Sequence, residues 1–198
     1  SFKLYIDMRN IYIDTVKSLS HAIEAKDSYT NGHSRRVMEY ACKLADNLGL
    51  PPKRVENLKI AAILHDIGKI GIDESILNKP GRLTDEEFDK IKQHPEIGVK
   101  IIKDIHFLKD VYGIILSHHE RYDGTGYPEG RKHGDILLEA QILSIADVFD
   151  ALTSERPYRN AMTVREAIDI IEEGKGTQFE SKLADAFIKM IKDNKEME

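Results

Sequence analysis

The apolar run Ile60-Ala61-Ala62-Ile63-Leu64 leads without a break into His65-Asp66. Ionisable groups inside an apolar segment are costly to bury unless they are paired or bind a metal, so this junction demands partners from elsewhere in the chain. The conflict recurs where GIILS meets His118-His119 and where Asp147 sits inside ILSIADVFDAL. His33 and His94 stand beside helix starts or breaks, in NGHS and KQHPE. A fold that buries these groups has to bring distant segments to one place.

Apolar periodicity indicates how those segments fold. From Leu4 to about Lys26, Ile6, Ile13, Val16, Leu19 and Ile23 recur at helical intervals with no Gly or Pro between them, predicting one long helix. A second helix is expected from about Ser34 to Asn47, capped by Gly49 and stopped by Pro51 and Pro52. A third runs from about Lys53 to Asp66. Thr84 with Glu87 forms a capping-box signal for a short helix that Pro95 interrupts and that resumes to about Asp104. Helical spacing returns over Phe107 to His119 and Leu137 to Leu152, across the loop ERYDGTGYPEGRKHGD. Thr163 with Glu166 starts another helix, the last covers Ser181 to about Lys192, and KDNKEME reads as a fraying tail. Strand alternation is scarce, so the expected fold class is all-α. The domain reading is a single domain over 27–198 preceded by the helix of 1–26. That helix either links to a removed upstream domain or begins at a trimmed terminus.

Composition narrows the function classes. The net charge of −5 over 198 residues provides no global field for duplex nucleic acid, so an anionic substrate must be held locally. The single cysteine, Cys42, rules out an internal disulfide and a cysteine-rich zinc site. No apolar run reaches membrane-spanning length; the chain reads as cytoplasmic, although its parent could be membrane-anchored.

Successive helical residues point about 100° apart, so His65 and Asp66 cannot share one direction. A carboxylate bridging two ions beside an imidazole on one of them fits that geometry. Taken together, His33, His65, Asp66, His94, His118, His119 and Asp147 could converge on a dinuclear centre of nitrogen and carboxylate ligands. Any one of these histidines alone would be an ordinary helix-terminal or surface residue. His21, His106 and His133 lack acidic or histidine neighbours and are read as surface residues.

The motifs HDIGK, NKPG, HPEIG, HHERYDGTGYP and ADVFDALTSERPYR together resemble the HD-GYP family of bacterial cyclic di-GMP phosphodiesterases, over about His21 to Phe187. The resemblance implies a helical HD-superfamily fold with a dinuclear centre, commonly iron or manganese, that opens the cyclic dinucleotide to linear pGpG and in some members onward to GMP. By motif it implies that His33, His65, Asp66 and Asp147 hold one metal and that Asp66, His94, His118 and His119 hold the other, with Asp66 bridging. Two cations flanking a bridging water would lower its pKa, align it with phosphorus and neutralise charge on the phosphate oxygens.

Lys69 resembles the family lysine that contacts the scissile phosphate, giving Asp66 and Lys69 the catalytic roles. Gly126, Tyr127 and Pro128 are the GYP triplet, and Arg156 and Arg159 match positions contacting phosphate or guanine. By spacing alone GTGYP would be only a turn, and the arginines only surface ion pairs. Some members place a glutamate four residues before the histidine of the GHS motif to bind a third metal. Tyr29 stands there, so two metals are expected, with pGpG the favoured product. Alternatives are a nucleotide phosphohydrolase of the wider HD superfamily and a non-catalytic signalling module. Implied partners are cyclic di-GMP, an upstream sensor or receiver domain, a diguanylate cyclase domain, and a second copy paired through the N-terminal helix.

Overall fold

The computed structural model describes residue 11, residues 14–19, 23, 26, 32–155 and 160–195. The described positions before residue 32 are helical, and Val16 and Ile23 are buried in the core. Most of the expected helix over 1–26, Tyr29, and the pair Arg156 and Arg159 lie outside the described residues.

Nine α-helices follow among the described residues: α1 His33–Asn47, α2 Pro52–Leu64, α3 Glu74–Leu77, α4 Asp85–Ile91, α5 His94–Ile102, α6 Tyr112–Ser117, α7 Leu138–Thr153, α8 Val164–Glu173 and α9 Ser181–Lys195. No strand occurs among the described residues, only an isolated bridge between Lys175 and Phe179. The fold is all-α, as the periodicity predicts.

Local chemistry sets the helix limits. Leu50 donates its N–H to Ala45 and Gly49 donates to Asp46, with Gly49 at φ +72, a left-handed termination that glycine adopts without steric cost. Thr84 and Thr163 each form the expected reciprocal capping box, with Glu87 and Glu166. α2 stops at Leu64, short of the predicted Asp66, because Asp66 turns to φ −93 and ψ 4 and opens a 3-10 turn over Ile67–Gly71. Pro95 starts a helix where an interruption was expected: α4 ends at Ile91, and Pro95 lies in the first turn of α5, where a missing N–H costs nothing. Phe107 to His119 is divided into a 3-10 turn, His106–Val111, and α6. The last helix continues to Lys195, past the predicted Lys192, and Asn194 there accepts a hydrogen bond from Lys43.

α1 packs on α2 and α7, with α9 closing over α1 and α7. Val37, Ala41, Leu44, Leu58, Leu64, Ile142, Leu143, Phe149 and Phe187 form the centre of this core. The rings of Tyr40, Phe149 and Phe187 meet edge to face, at 5.1 Å for Tyr40 with Phe149 and 5.3 Å for Phe149 with Phe187, a favoured aromatic geometry. α5 lies against the 3-10 turn at a backbone approach only glycine permits. A Cβ on Gly68 would fall 1.8 Å from the His94 carbonyl oxygen. That approach brings the Asp66 junction beside the start of α5.

Arg54 joins α2 to α7 through a two-pronged contact with Glu139, 2.6 Å from Nε to Oε1 and 2.7 Å from Nη2 to Oε2. The hydrogen bonds from Arg54 hold the buried Glu139 carboxyl below its ordinary pKa. Its stabilisation is therefore present above the unfolded glutamate pKa and disappears as pH falls through the depressed folded value. Arg54→Ala should lower unfolding free energy by about 1–2 kcal/mol at neutral pH, with the difference from wild type shrinking under acid conditions. Denaturant midpoints at several pH values measure both.

Candidate metal centre

All but one of the seven sequence-selected ligand candidates lie at helix ends. His33 begins α1 and His94 begins α5; His65 follows α2, and His118 and His119 follow α6. Asp66 occupies the α2 junction, and Asp147 lies within α7. These ends converge on two groups. Single ligand atoms of His33, His65 and Asp66 lie within 4.8 Å of one another, as do those of His94, His118 and His119. Asp147 joins the first group, with Oδ1 3.2 Å from His33 Nε2 and 4.0 Å from His65 Nε2.

Asp66 stands between the groups. Its Oδ2 is 3.4 Å from His65 Nε2 and 4.0 Å from His33 Nε2, whereas Oδ1 is 3.5 Å from His94 Nε2. Lys69, on the 3-10 turn, places Nζ 2.8 Å from Oδ2.

Hydrogen bonds behind the imidazoles define which nitrogen faces the centre. His65, His94 and His118 each donate Nδ1–H to the carbonyl three residues earlier, Ala62, Ile91 and Ile115, at 2.8, 2.7 and 2.6 Å. A carbonyl only accepts, so the proton is on Nδ1 and the neutral rings turn Nε2 lone pairs inward. His33 donates Nδ1–H to Asp150 Oδ2 at 2.7 Å. His94 and His118 thereby oppose Nε2 to Nε2 at 3.4 Å, two lone pairs with no proton between them. His65 Nε2 is buried with no hydrogen-bond partner. A cation resolves all three unsatisfied nitrogens, and imidazole with carboxylate is the donor set of divalent transition metals.

Electrostatics agrees. Burial pushes His94 down to about 4 and His119 to about 3, and drives His118 well below the usual histidine range; these rings are neutral, the form that binds metal. Burial opposes ionisation of Asp66, but Lys69 and the surrounding histidines outweigh it and hold the carboxyl well below the normal range. Asp147 is likewise depressed despite burial, chiefly by its hydrogen bond with His33. Burial would lower His33, yet Asp147 and Asp150 raise it to about 10.

The centre forms the floor of a cleft of about 280 Å³. Lys69, Tyr127, Arg36 and Glu155 line it with the apolar side chains Leu77, Leu83 and Ile91. Tyr127 stacks on His119 at 4.8 Å and 28°. Gly126 lies against the chain that follows α6, where a Cβ would be 2.3 Å from Arg121 N and 2.5 Å from His119 O. Of the GYP triplet, Tyr127 lines the cleft while Gly126 allows the loop to lie flat. His106 and His133 are exposed, whereas His21 is outside the described residues.

Three polar residues escaped the sequence reading. Asp150 and Arg36 support His33, and their signal was spacing: each lies three residues beyond a candidate, after Asp147 and His33, on the same helix face. Glu120, buried beside His119, accepts the Glu129 N–H at 2.8 Å, and its Oε2 has no hydrogen-bond partner. Only its place after His118-His119 marked it.

Fold and site thus define an all-helical protein with a buried histidine and aspartate centre suited to divalent cations. The chain belongs to the HD domain family, whose profile matches residues 17–183; HD domains bind divalent metals, and this chain carries clusters of that chemistry. It is 41% identical over 178 residues to the cyclic di-GMP phosphodiesterase response regulator RpfG of Xanthomonas campestris, covering 89% of this chain and 47% of that protein. It is 37% identical over 193 residues to a cyclic di-GMP phosphodiesterase of Thermotoga maritima, covering 96% of this chain and 52% of that one. The chain therefore spans about half the length of these curated relatives. Its fold matches the crystal structure of the cyclic GMP-AMP specific phosphodiesterase V-cGAP3 of Vibrio cholerae, with TM-score 0.70 and 20% identity over 91% of this chain and 49% of that one. No helix among the described residues is long and apolar enough to cross a membrane.

A divalent metal that binds the folded centre should stabilise it by about 2.7 kcal/mol per site at a hundredfold excess over Kd, or roughly 5–10 °C in melting temperature for a chain of this size. His118→Ala should reduce that shift by half or more. A wild-type melting curve unmoved by manganese(II) or iron(II) would overturn the assignment.

Proposed function

We propose that this chain is a catalytic domain that hydrolyses cyclic di-GMP to linear pGpG with two divalent cations, iron or manganese. His33, His65, Asp66 and Asp147 would hold one; Asp66, His94, His118 and His119 the other. The observation that carries this reading is the division of Asp66, with one oxygen toward His94 and the other toward His65 and His33. Bound there, the cations supply Lewis acidity and lower the pKa of water to make a nucleophile at neutral pH.

The remaining work belongs to the chain. Depressed pKa values keep Asp66 and Asp147 ionised as anchors, and the hydrogen bonds behind His65, His94 and His118 orient their rings before substrate arrives. Lys69 lines the cleft, where its compact ammonium meets negative charge developing on the phosphate. Tyr127, stacked on His119, forms part of the wall, and Gly126 and Pro128 complete the triplet that would shape the substrate cleft. Arg156 and Arg159 take the outer phosphate or guanine by resemblance to the family motif. Tyr29, in place of a third-metal glutamate, favours two cations and arrest at pGpG over continued hydrolysis to GMP.

A nucleotide phosphohydrolase using the first group alone would leave His94, His118 and His119 without a task, and their convergence within 4.8 Å argues against it. The domain is assigned to the cytoplasm, under an upstream sensor or receiver domain acting through residues 1–26, with dimer pairing and diguanylate cyclase contact as further routes of control. Lys26 supports such input. Its Nζ donates to the Ile70 and Ile72 carbonyls at 2.5 and 2.6 Å, tying the N-terminal segment to the turn that carries Lys69.

The test is chromatographic product analysis of anaerobically purified protein loaded with iron(II) or manganese(II), with a chelator control. Cyclic di-GMP should yield pGpG only while metal is present; bound metal without product would overturn the reading in favour of a signalling module. A parallel 3'3'-cGAMP arm reports base choice, because the centre acts on the phosphodiester common to cyclic dinucleotides. Asp66→Ala should abolish turnover and metal retention with helical content preserved. Lys69→Ala should keep metal and lose about 10²–10³-fold in kcat.

A further inference from the structure

Among the four histidines whose Nδ1 partner is defined, His33 differs from the rest. His65, His94 and His118 lean on neutral backbone carbonyls, but His33, at the first position of α1, donates to the Asp150 carboxylate. Asp150 is 1% exposed and is held from its other side by Arg36, with Nε 2.6 Å from Oδ1 and Nη2 3.0 Å from Oδ2. Arg36 Nη2 also donates to Ser154 at 3.1 Å, fixing the guanidinium across α1 and α7. Both Asp150 oxygens are thus engaged by donors, and neither is turned toward the centre.

We infer that Asp150, gripped by Arg36, is the positioning residue of His33 and makes the cation site containing His33 the tighter of the two. A carboxylate behind an imidazole orients the ring and strengthens Nε2 as a donor, and its loss typically costs 10–100-fold in metal affinity. A backbone carbonyl gives the orientation with less of the basicity. The site of His33, His65, Asp66 and Asp147 therefore fills before that of His94, His118 and His119. Arg36 is required as arginine, because its planar fork makes two directed hydrogen bonds that a lysine ammonium cannot reproduce.

This inference rests on the two-cation reading, and the experiment separates the two. Metal-free wild type is titrated with manganese(II) under chelator competition, with bound metal counted by elemental analysis. Wild type should bind two ions in distinguishable steps; binding none would overturn the two-cation reading and this inference with it. In a His118→Ala background, which isolates the His33 site, Asp150→Asn should weaken the remaining ion 10–100-fold. In a His33→Ala background, which isolates the other site, Asp150→Asn should change affinity less than twofold; equal weakening there would reveal a general structural role and overturn the proposal. Arg36→Lys should weaken the His33 site in the same direction by a smaller factor, and it carries the test if circular dichroism shows Asp150→Asn unfolded. Unchanged affinity at the His33 site in the folded variants would also overturn the inference.

Discussion

Histidine Nδ1–H groups bonded to helix-terminal carbonyls are the interaction on which this structure turns. The last carbonyls of a helix lack intrahelical donors, and His65 supplies one to Ala62 at the end of α2, as His118 does to Ile115 at the end of α6. The Ile91 carbonyl, closing α4, receives its donor from His94, which begins the next helix. One hydrogen bond at each place satisfies a buried helix end and orients a ring. Its unavoidable result is a set of inward lone pairs that no neighbouring donor meets. The fold thereby spends helix termini, which need partners anyway, on building a centre that only a cation completes.

Close backbone approach supplies the second constraint. The turn after Asp66 touches the start of α5 where Gly68 faces the His94 carbonyl, and the loop after His119 lies flat where Gly126 faces the chain of residues 119–121. These contacts set distances between ligands from different segments, which side-chain packing alone would define more loosely. Close-packed interiors resist even small volume changes, so the backbone at Gly68 fixes how near the Asp66 turn comes to His94. Asp66, at φ −93 and ψ 4, lies in the sparsely populated bridge region where active-site residues recur.

Much of this was legible because burial and charge conflict visibly in the sequence. His65-Asp66, His118-His119 and Asp147 stood out as ionisable groups in apolar runs, and the structure brings all of them to one centre. Thr84 and Thr163 announced their helix starts through side chains only three residues apart. Long-range approach was what periodicity could not carry. α2 ends at Leu64 because Asp66 opens a 3-10 turn that packs against α5, and the split of Phe107 to His119 into a 3-10 turn and α6 leaves apolar spacing almost unaltered. Pro95 was misread because proline suits a first helical turn as well as it breaks an interior. Asp150 and Arg36 were hidden because a carboxylate and a guanidinium three residues beyond other polar groups look like an ordinary solvated face until α1 and α7 are packed together.

The same geometry divides labour between the floor and the walls of the cleft. On the floor, Asp66, Asp147, Lys69 and the imidazoles answer charge with charge. Leu77, Leu83 and Ile91, with Val148 and Ala151 on α7, give the cleft an apolar lining. Apolar surfaces of this kind discriminate poorly between ligands of similar shape, because discrimination depends on buried hydrogen-bonding groups left unpaired by the wrong partner. Polar reach in this outer region comes from Arg36, Ser154 and Glu155, and Arg36 is already committed to Asp150. The hydrogen bonds that orient the imidazoles therefore do not depend on Leu77, Leu83, Val148 or Ala151, whose side chains add only apolar lining.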